Sequence, residues 1–235
     1  MKKGKSVMKN HGKIWLVIFF SPVLSHADEL IYSNNFNGAE LKASGITAAT
    51  QYATTNNGVL EASASQATSG LRVDLTSLNL TVGQAIKITA DVYMPNNSTS
   101  AGIGFGNTST DWNLLSSGDG ALIFATQFAK LGVYATAQSG GELSASSQYT
   151  LGAVSKVEYI YHTTDRVDIL INGVAKYTGF QLAPTGGLGA NTLDYAFFNL
   201  RLQAPAASGG MTFDNVTIEI VSAPARLSLF VVSSN

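Results

Sequence analysis

The sequence predicts an all-β chain folded as a two-sheet antiparallel sandwich. Three observations carry that expectation. Apolar and polar residues alternate in short runs from Leu30 to Val221, the period of a half-buried strand. Asn57-Gly58 and Asn172-Gly173 interrupt such runs, and Asn-Gly is the strongest short hairpin signal because both central residues of a type I′ turn need positive φ. After residue 27 no segment sustains a 3.6-residue period.

Taken in order, the chain opens with a targeting segment. Lys2, Lys3, Lys5, Lys9 and Lys13 precede the apolar run Ile14 to Phe20, and Ser25-His26-Ala27 follows. This is the pattern of a secretory signal cleaved after Ala27. The apolar run is too short for an ordinary membrane span. Residues 28–221 are then expected to form one domain, with a short tail at 222–235.

Leu30-Ile-Tyr-Ser33 is the first expected strand. Residues 39–58 read as loop with one edge strand near Gln51-Tyr52-Ala53. Val59 to Ala62 and Gly70 to Asp74 are further short strands. In Ala85 to Met94, Ile86, Ile88, Ala90 and Val92 make one face and Lys87, Thr89, Asp91 and Tyr93 the other. Ala101 to Gly106 has glycine at every second place, which leaves one face open to close approach by a backbone or a ligand. A polar loop spans 107–120. Short strands follow at Ala121 to Ala125 and Leu131 to Ala135, then a Ser/Gly loop to Ser147. Val157, Tyr159 and Tyr161 alternate with polar partners, Thr163-Thr164-Asp165 breaks the run, and Val167, Ile169 and Ile171 oppose Arg166 and Asp168. Tyr195 to Gln203 sends Ala196, Phe198, Leu200 and Leu202 one way. Met211 to Val221 is the last strand.

Composition narrows the function. Charged residues are 12 % of the chain, while 45 % hydrophobic content suffices for a core and excludes a disordered chain. Cleavage after Ala27 removes five of the 14 basic residues and no acidic one, leaving nine basic against 15 acidic and a net charge of −6. A negative surface without a basic cluster argues against nucleic acid as a partner. There is no cysteine, so thiol catalysis and Cys-based metal sites are excluded. His162 is the single histidine beyond residue 27. A zinc site built on two histidines of one chain is therefore excluded too.

The stretch Ser155 to Thr178, strand, short break, strand, Asn-Gly, strand, resembles the laminin G-like, concanavalin A-like jelly-roll domains. Phe213-Asp-Asn-Val216 is similar to the last strand of many such surface domains. The resemblance implies a two-sheet antiparallel jelly roll. The tail Ser222-Ala-Pro-Ala-Arg-Leu-Ser-Leu-Phe-Val-Val232 resembles a truncated bacterial PEP-CTERM sorting signal, with Ala223-Pro224-Ala225 where Pro-Glu-Pro would stand. It implies export to the periplasm or cell surface of a Gram-negative bacterium. Leu227 to Val232 is too short to span a bilayer, so the mature protein is not expected to cross one. Jelly-roll glycosidases of family 16 carry Glu-x-Asp-x-x-Glu on one strand, and no such run occurs here. The expectation is a protein that is not an enzyme.

Asp111-Trp112-Asn113 is the first ligand candidate. A tryptophan in a polar loop can stack on the apolar face of a sugar ring, while Asp and Asn exchange hydrogen bonds with hydroxyls. The alternative is a Trp112 that plugs the end of the sandwich. Tyr195, Asn199 and Arg201, joined by Asp91 and Tyr93, are the second ligand candidate, lining a concave sheet face; the alternative is an ordinary solvated face. His162 pairs in sequence with Asp165 as a weak acid–base candidate, and a strand-end histidine is expected to be half-exposed. Asp214 has oxygens suited to calcium, but a lone carboxylate carries no metal assignment, and no cofactor is expected. The function expected is carbohydrate binding, with polysaccharide or an exopolysaccharide matrix as partner. A structural surface protein without a ligand and a polysaccharide-degrading enzyme are the alternatives.

Overall fold

The computed structural model describes residues 28–38, 46–62, 69–78, 80–81, 83–95, 99–106, 119–125, 129–136, 142–143, 147–162, 166–181, 194–202 and 211–222. Among them are fifteen strands and no α-helix. In chain order these are β1 (Glu29–Asn34), β2 (Ala48–Gln51), β3 (Ala53–Asn56), β4 (Val59–Ala62), β5 (Gly70–Asp74), β6 (Gln84–Tyr93), β7 (Thr99–Gly106), β8 (Asp119–Ala125), β9 (Lys130–Thr136), β10 (Glu142–Leu143), β11 (Val154–His162), β12 (Arg166–Ile171), β13 (Val174–Gln181), β14 (Tyr195–Leu202) and β15 (Thr212–Ser222).

They form two antiparallel sheets, a jelly-roll β-sandwich. The first runs β13-β12-β11-β6-β15-β4-β3, with β1 also paired to β15. The second runs β10-β9-β8-β7-β14-β5-β2. Alternation decides what each strand buries. In the first sheet Ile169, Tyr159, Ile88 and Ile218 lie side by side across four strands, and all are fully buried. In the second, Leu71, Phe198, Ile103 and Leu122 do the same. Burying each such side chain is worth about 1.5–3 kcal/mol. Aromatic rings join the layers. Phe105 of β7 lies 5.8 Å from both Tyr159 and Tyr161 of β11, and Phe198 of β14 meets Phe213 of β15 edge-on at 5.6 Å.

Both expected hairpins form. Asn172 and Gly173 have φ of 52° and 75°, and Asn57 and Gly58 of 49° and 80°, as a type I′ turn requires. Asn172 also accepts a hydrogen bond at Oδ1 from Lys156 N, at 2.8 Å, so the turn is tied to β11 as well.

Two expectations are corrected. The region near Gln51-Tyr52-Ala53 holds two strands rather than one edge strand. β2 belongs to the second sheet and β3 to the first, with Tyr52 at φ 47° between them. A left-handed residue there turns the chain from one layer to the other. The Ser/Gly loop before Ser147 contains β10, which pairs Glu142 and Leu143 with Val133 and Gly132. Two residues are too few to show an alternating pattern.

Candidate functional site

The local sequence Leu71-Arg72-Val73-Asp74-Leu75 alternates strictly. Leu71, Val73 and Leu75 are buried in the core, which places Arg72 and Asp74 on the outward face of the second sheet. On β14, Ala196, Phe198 and Leu200 enter the core, so Tyr195 and Phe197 face outward too. Register then assembles two rows. Ala49, Arg72, Phe197 and Gly104 stand side by side. So do Asp74, Tyr195 and Gly106, with Asp74 N donating to Thr47 O at 2.9 Å.

The side chains interlock. The Arg72 guanidinium carbon lies 5.0 Å from the Tyr195 ring centroid, within cation–π range. Tyr195 and Phe197 have centroids 6.4 Å apart. Asp74 Oδ1 accepts from Thr76 N at 2.9 Å and from Thr76 Oγ1 at 2.6 Å, which closes the turn after β5. Thr47, Ala48, Ala49, Arg72, Asp74 and Tyr195 together line a pocket of about 230 Å³. Its contents are an aromatic ring, a fork of donors and an anionic acceptor. Gly104 and Gly106 place no side chain beside Phe197 and Tyr195 on the β7 side. Phe197 is nevertheless only 3 % exposed on this outward face.

The outward face of the first sheet is different. Lys87 Nζ meets Glu219 Oε2 at 2.7 Å across β6 and β15. That hydrogen bond raises the Lys87 pKa, ahead of the opposing effect of burial. Asp91 and Asp214 are cross-strand neighbours, and Asn215 Nδ2 bonds both carboxylates, at 2.8 Å and 3.3 Å. Asn215 reaches them because a bulge places it at φ 47°. His162 Nε2 bonds Asp168 Oδ2 at 2.9 Å, Asp168 Oδ1 accepts from Gly179 N, and Arg166 donates to Gly179 O at 2.9 Å. No group of three or more metal-ligating side chains occurs among the described residues. Burial holds the phenols of Tyr159 and Tyr149 far above their ordinary pKa, so neither ionises near neutral pH.

The expected residues separate on this structure. Asp111, Trp112 and Asn113 lie outside the described residues, as does Asp165. The chain leaves β7 toward them at Gly106, the residue paired with Tyr195. Tyr195, Asn199 and Arg201 occupy alternate positions of β14, paired with Gly106, Gly102 and Ser100. Six residues of strand, about 20 Å, separate the first from the last. Asp91 and Tyr93 are corrected. They belong to β6 in the first sheet and share no face with Tyr195. The half-exposed expectation for His162 is corrected as well, while its pairing with Asp165 lies outside the described residues. The histidine is buried, at 7 % exposure, and its partner is Asp168, because β11–β12 register sets His162 opposite Arg166 and Asp168 diagonally beyond it.

No family model matches the chain, and no curated protein matches it. Solved structures do. An endo-1,3-β-glucanase from Streptomyces sioyaensis superposes with a TM-score of 0.54 at 12 % identity, over 86 % of this chain and 100 % of that one. The CBM2 module of an evolved Dit of Lactobacillus casei BL23 phage J-1 gives 0.52 at 10 % identity, over 86 % and 100 %. A Trypanosoma rangeli sialidase mutant displaying trans-sialidase activity gives 0.50 at 15 % identity. This chain is covered over 85 % there but spans only 31 % of the sialidase. At identities this low the superpositions show a shared fold alone.

Arg72 and Asp74 are the site residues that sequence reasoning missed. Their signal was present in the strict alternation of Leu71 to Leu75. Nothing in the sequence alone brought that short strand beside Tyr195.

Proposed function

We propose that the chain is an exported, non-catalytic protein that binds polysaccharide on the outward face of its second sheet. The observation that carries this reading is the pocket where Arg72, Asp74 and Tyr195 converge. A ring with an apolar face, a guanidinium and a carboxylate are the groups a polyhydroxylated ligand needs. The glucanase and the sialidase of like fold act on carbohydrates, which makes sugars the first ligands to test. In the same reading residues 1–27 direct export, 28–221 form a laminin G/concanavalin A-like domain, and 222–235 are a remnant of a sorting signal. Among the described residues no helix is long and apolar enough to cross a membrane.

The test is a titration of the mature chain and of Tyr195→Ala against neutral and acidic polysaccharides, with thermal melts alongside. Tyr195 is partly exposed and lies outside the core. The variant is therefore expected to stay folded and to bind at least about tenfold more weakly, roughly 1.4 kcal/mol. Undiminished binding by a folded variant moves the site to Asp111, Trp112 and Asn113. No binding by the parent protein favours a structural surface protein. Release of reducing sugar from the same polymers would overturn the non-catalytic reading.

A further inference from the structure

We infer that the Arg72–Asp74–Tyr195 pocket takes one neutral sugar unit, at a chain end or a branch, and discriminates against charged sugars. The inference rests on the carbohydrate reading of the same face. Size is the first argument. About 230 Å³ lies below the roughly 300–1,000 Å³ of sites for larger ligands. One wall, Thr47 to Ala49, is the edge of the sheet among the described residues, where β2 pairs with β5 alone. Such a pocket holds a single ring rather than several consecutive units of a chain.

Charge is the second argument. Arg72 and Asp74 are two residues apart on one face of one strand, so their Cα atoms are about 7 Å apart. A uronate drawn to Arg72 meets the Asp74 carboxylate at short range. An amino sugar drawn to Asp74 meets the guanidinium. A neutral ring has no such conflict, because each hydroxyl both donates and accepts. Its hydroxyls donate to Asp74 Oδ2 and accept from Arg72, while a ring face lies against Tyr195. Selectivity here comes from the penalty on the wrong ligand as much as from contacts to the right one.

The experiment titrates the mature chain at pH 7 with the methyl glycosides of glucose, galactose and mannose, with methyl glucuronide and galacturonide, and with glucosamine. Polymer competition runs in parallel. One neutral glycoside is expected to displace the polymer completely and to bind about tenfold tighter than the uronide of the same ring configuration. Asp74→Asn keeps an oxygen for Thr76 and removes the charge. The neutral-to-uronide ratio should then fall about fivefold or more, while Arg72→Gln should raise it. A merely structural role for either residue moves stability and leaves that ratio alone. Tighter binding of a uronide or of glucosamine overturns the inference. So does polymer binding that no monosaccharide displaces, and in both cases the carbohydrate reading survives. Absence of binding to any polymer or glycoside overturns both.

Discussion

The two outward faces of this sandwich are built by the same alternation and use it differently. On the first sheet several polar groups bond one another. Lys87 holds Glu219, Asn215 bridges Asp91 and Asp214, and Asp168 is shared between His162 and the backbone of Gly179. On the second sheet Arg72, stacked on Tyr195, and Asp74, bonded to Thr76, line a pocket beside a strand whose alternate residues are glycine. A face whose polar groups are closed on each other contributes stability and register. A face whose polar groups line a pocket can exchange them with a ligand. The comparison therefore makes a crossed prediction. Substitutions on the first face change stability and leave binding alone, and substitutions on the second do the reverse.

Asp168→Asn tests the first half with the largest expected effect. His162 is buried, and Asp168 ties it to β13 across the intervening β12. The amide keeps an acceptor oxygen for Gly179 N but loses the charge, and its NH2 bonds His162 Nε2 only in the tautomer that accepts there. Hydrogen bonds to charged groups contribute about 1.5–3 kcal/mol, and that is the expected loss in urea unfolding at neutral pH. Polysaccharide affinity is expected to stay within about twofold, a shift under roughly 0.5 kcal/mol. A binding defect in a folded Asp168→Asn protein would break the division between the faces.

The difference between the faces also marks how far the sequence could be read. The inward sets of β6, β11, β12 and β14 were legible because period-two alternation reports which residues share a side. Alternation does not report which sheet a strand joins. Asp91 and Tyr93 therefore looked like partners of Tyr195, while the long-range pairing of β6 with β11 and β15 puts them in the other layer. The same limit hid the partner of His162. Asp168 is six residues on, and cross-strand register delivers it. It also hid the pocket, whose lining comes from β2, β5 and β14, with β2 and β14 more than 140 residues apart.

Gly173→Val probes the turn that holds β13 in place for the Asp168 clasp. Gly173 has φ 75°, and nothing lies within 4 Å of where its Cβ would be. The cost is therefore one of backbone conformation alone, about 1 kcal/mol or more for a β-branched residue at positive φ. Gly173→Asn separates that cost from any effect of adding a side chain, because Asn enters the left-handed region readily. It should recover most of the loss in a thermal melt. Equal destabilisation by Val and Asn would mean that the side chain, and not φ, is the problem.

The smallest effect belongs to Lys87 and Glu219, and it sharpens the comparison by its pH dependence. The Lys87 pKa is raised, first by the hydrogen bond to Glu219, with burial opposing and the charges of Glu219, Glu158 and Asp28 adding. A raised folded pKa means the folded chain holds the proton more tightly than the unfolded one. The contribution is then fully present below the unfolded value, near 10.4, and is lost as pH rises through the folded value. Because both side chains are partly exposed, solvent screens the pair and its worth is about 0.2–1 kcal/mol. Lys87→Met should cost that amount in urea unfolding at pH 7 and at pH 9, less at higher salt, and progressively nothing above about pH 10.5. A difference that persists above that pH and ignores salt would assign the contribution to the packing of the lysine stem. Glycan affinity should not move in either case, because the pair stands on the first sheet and the pocket on the second.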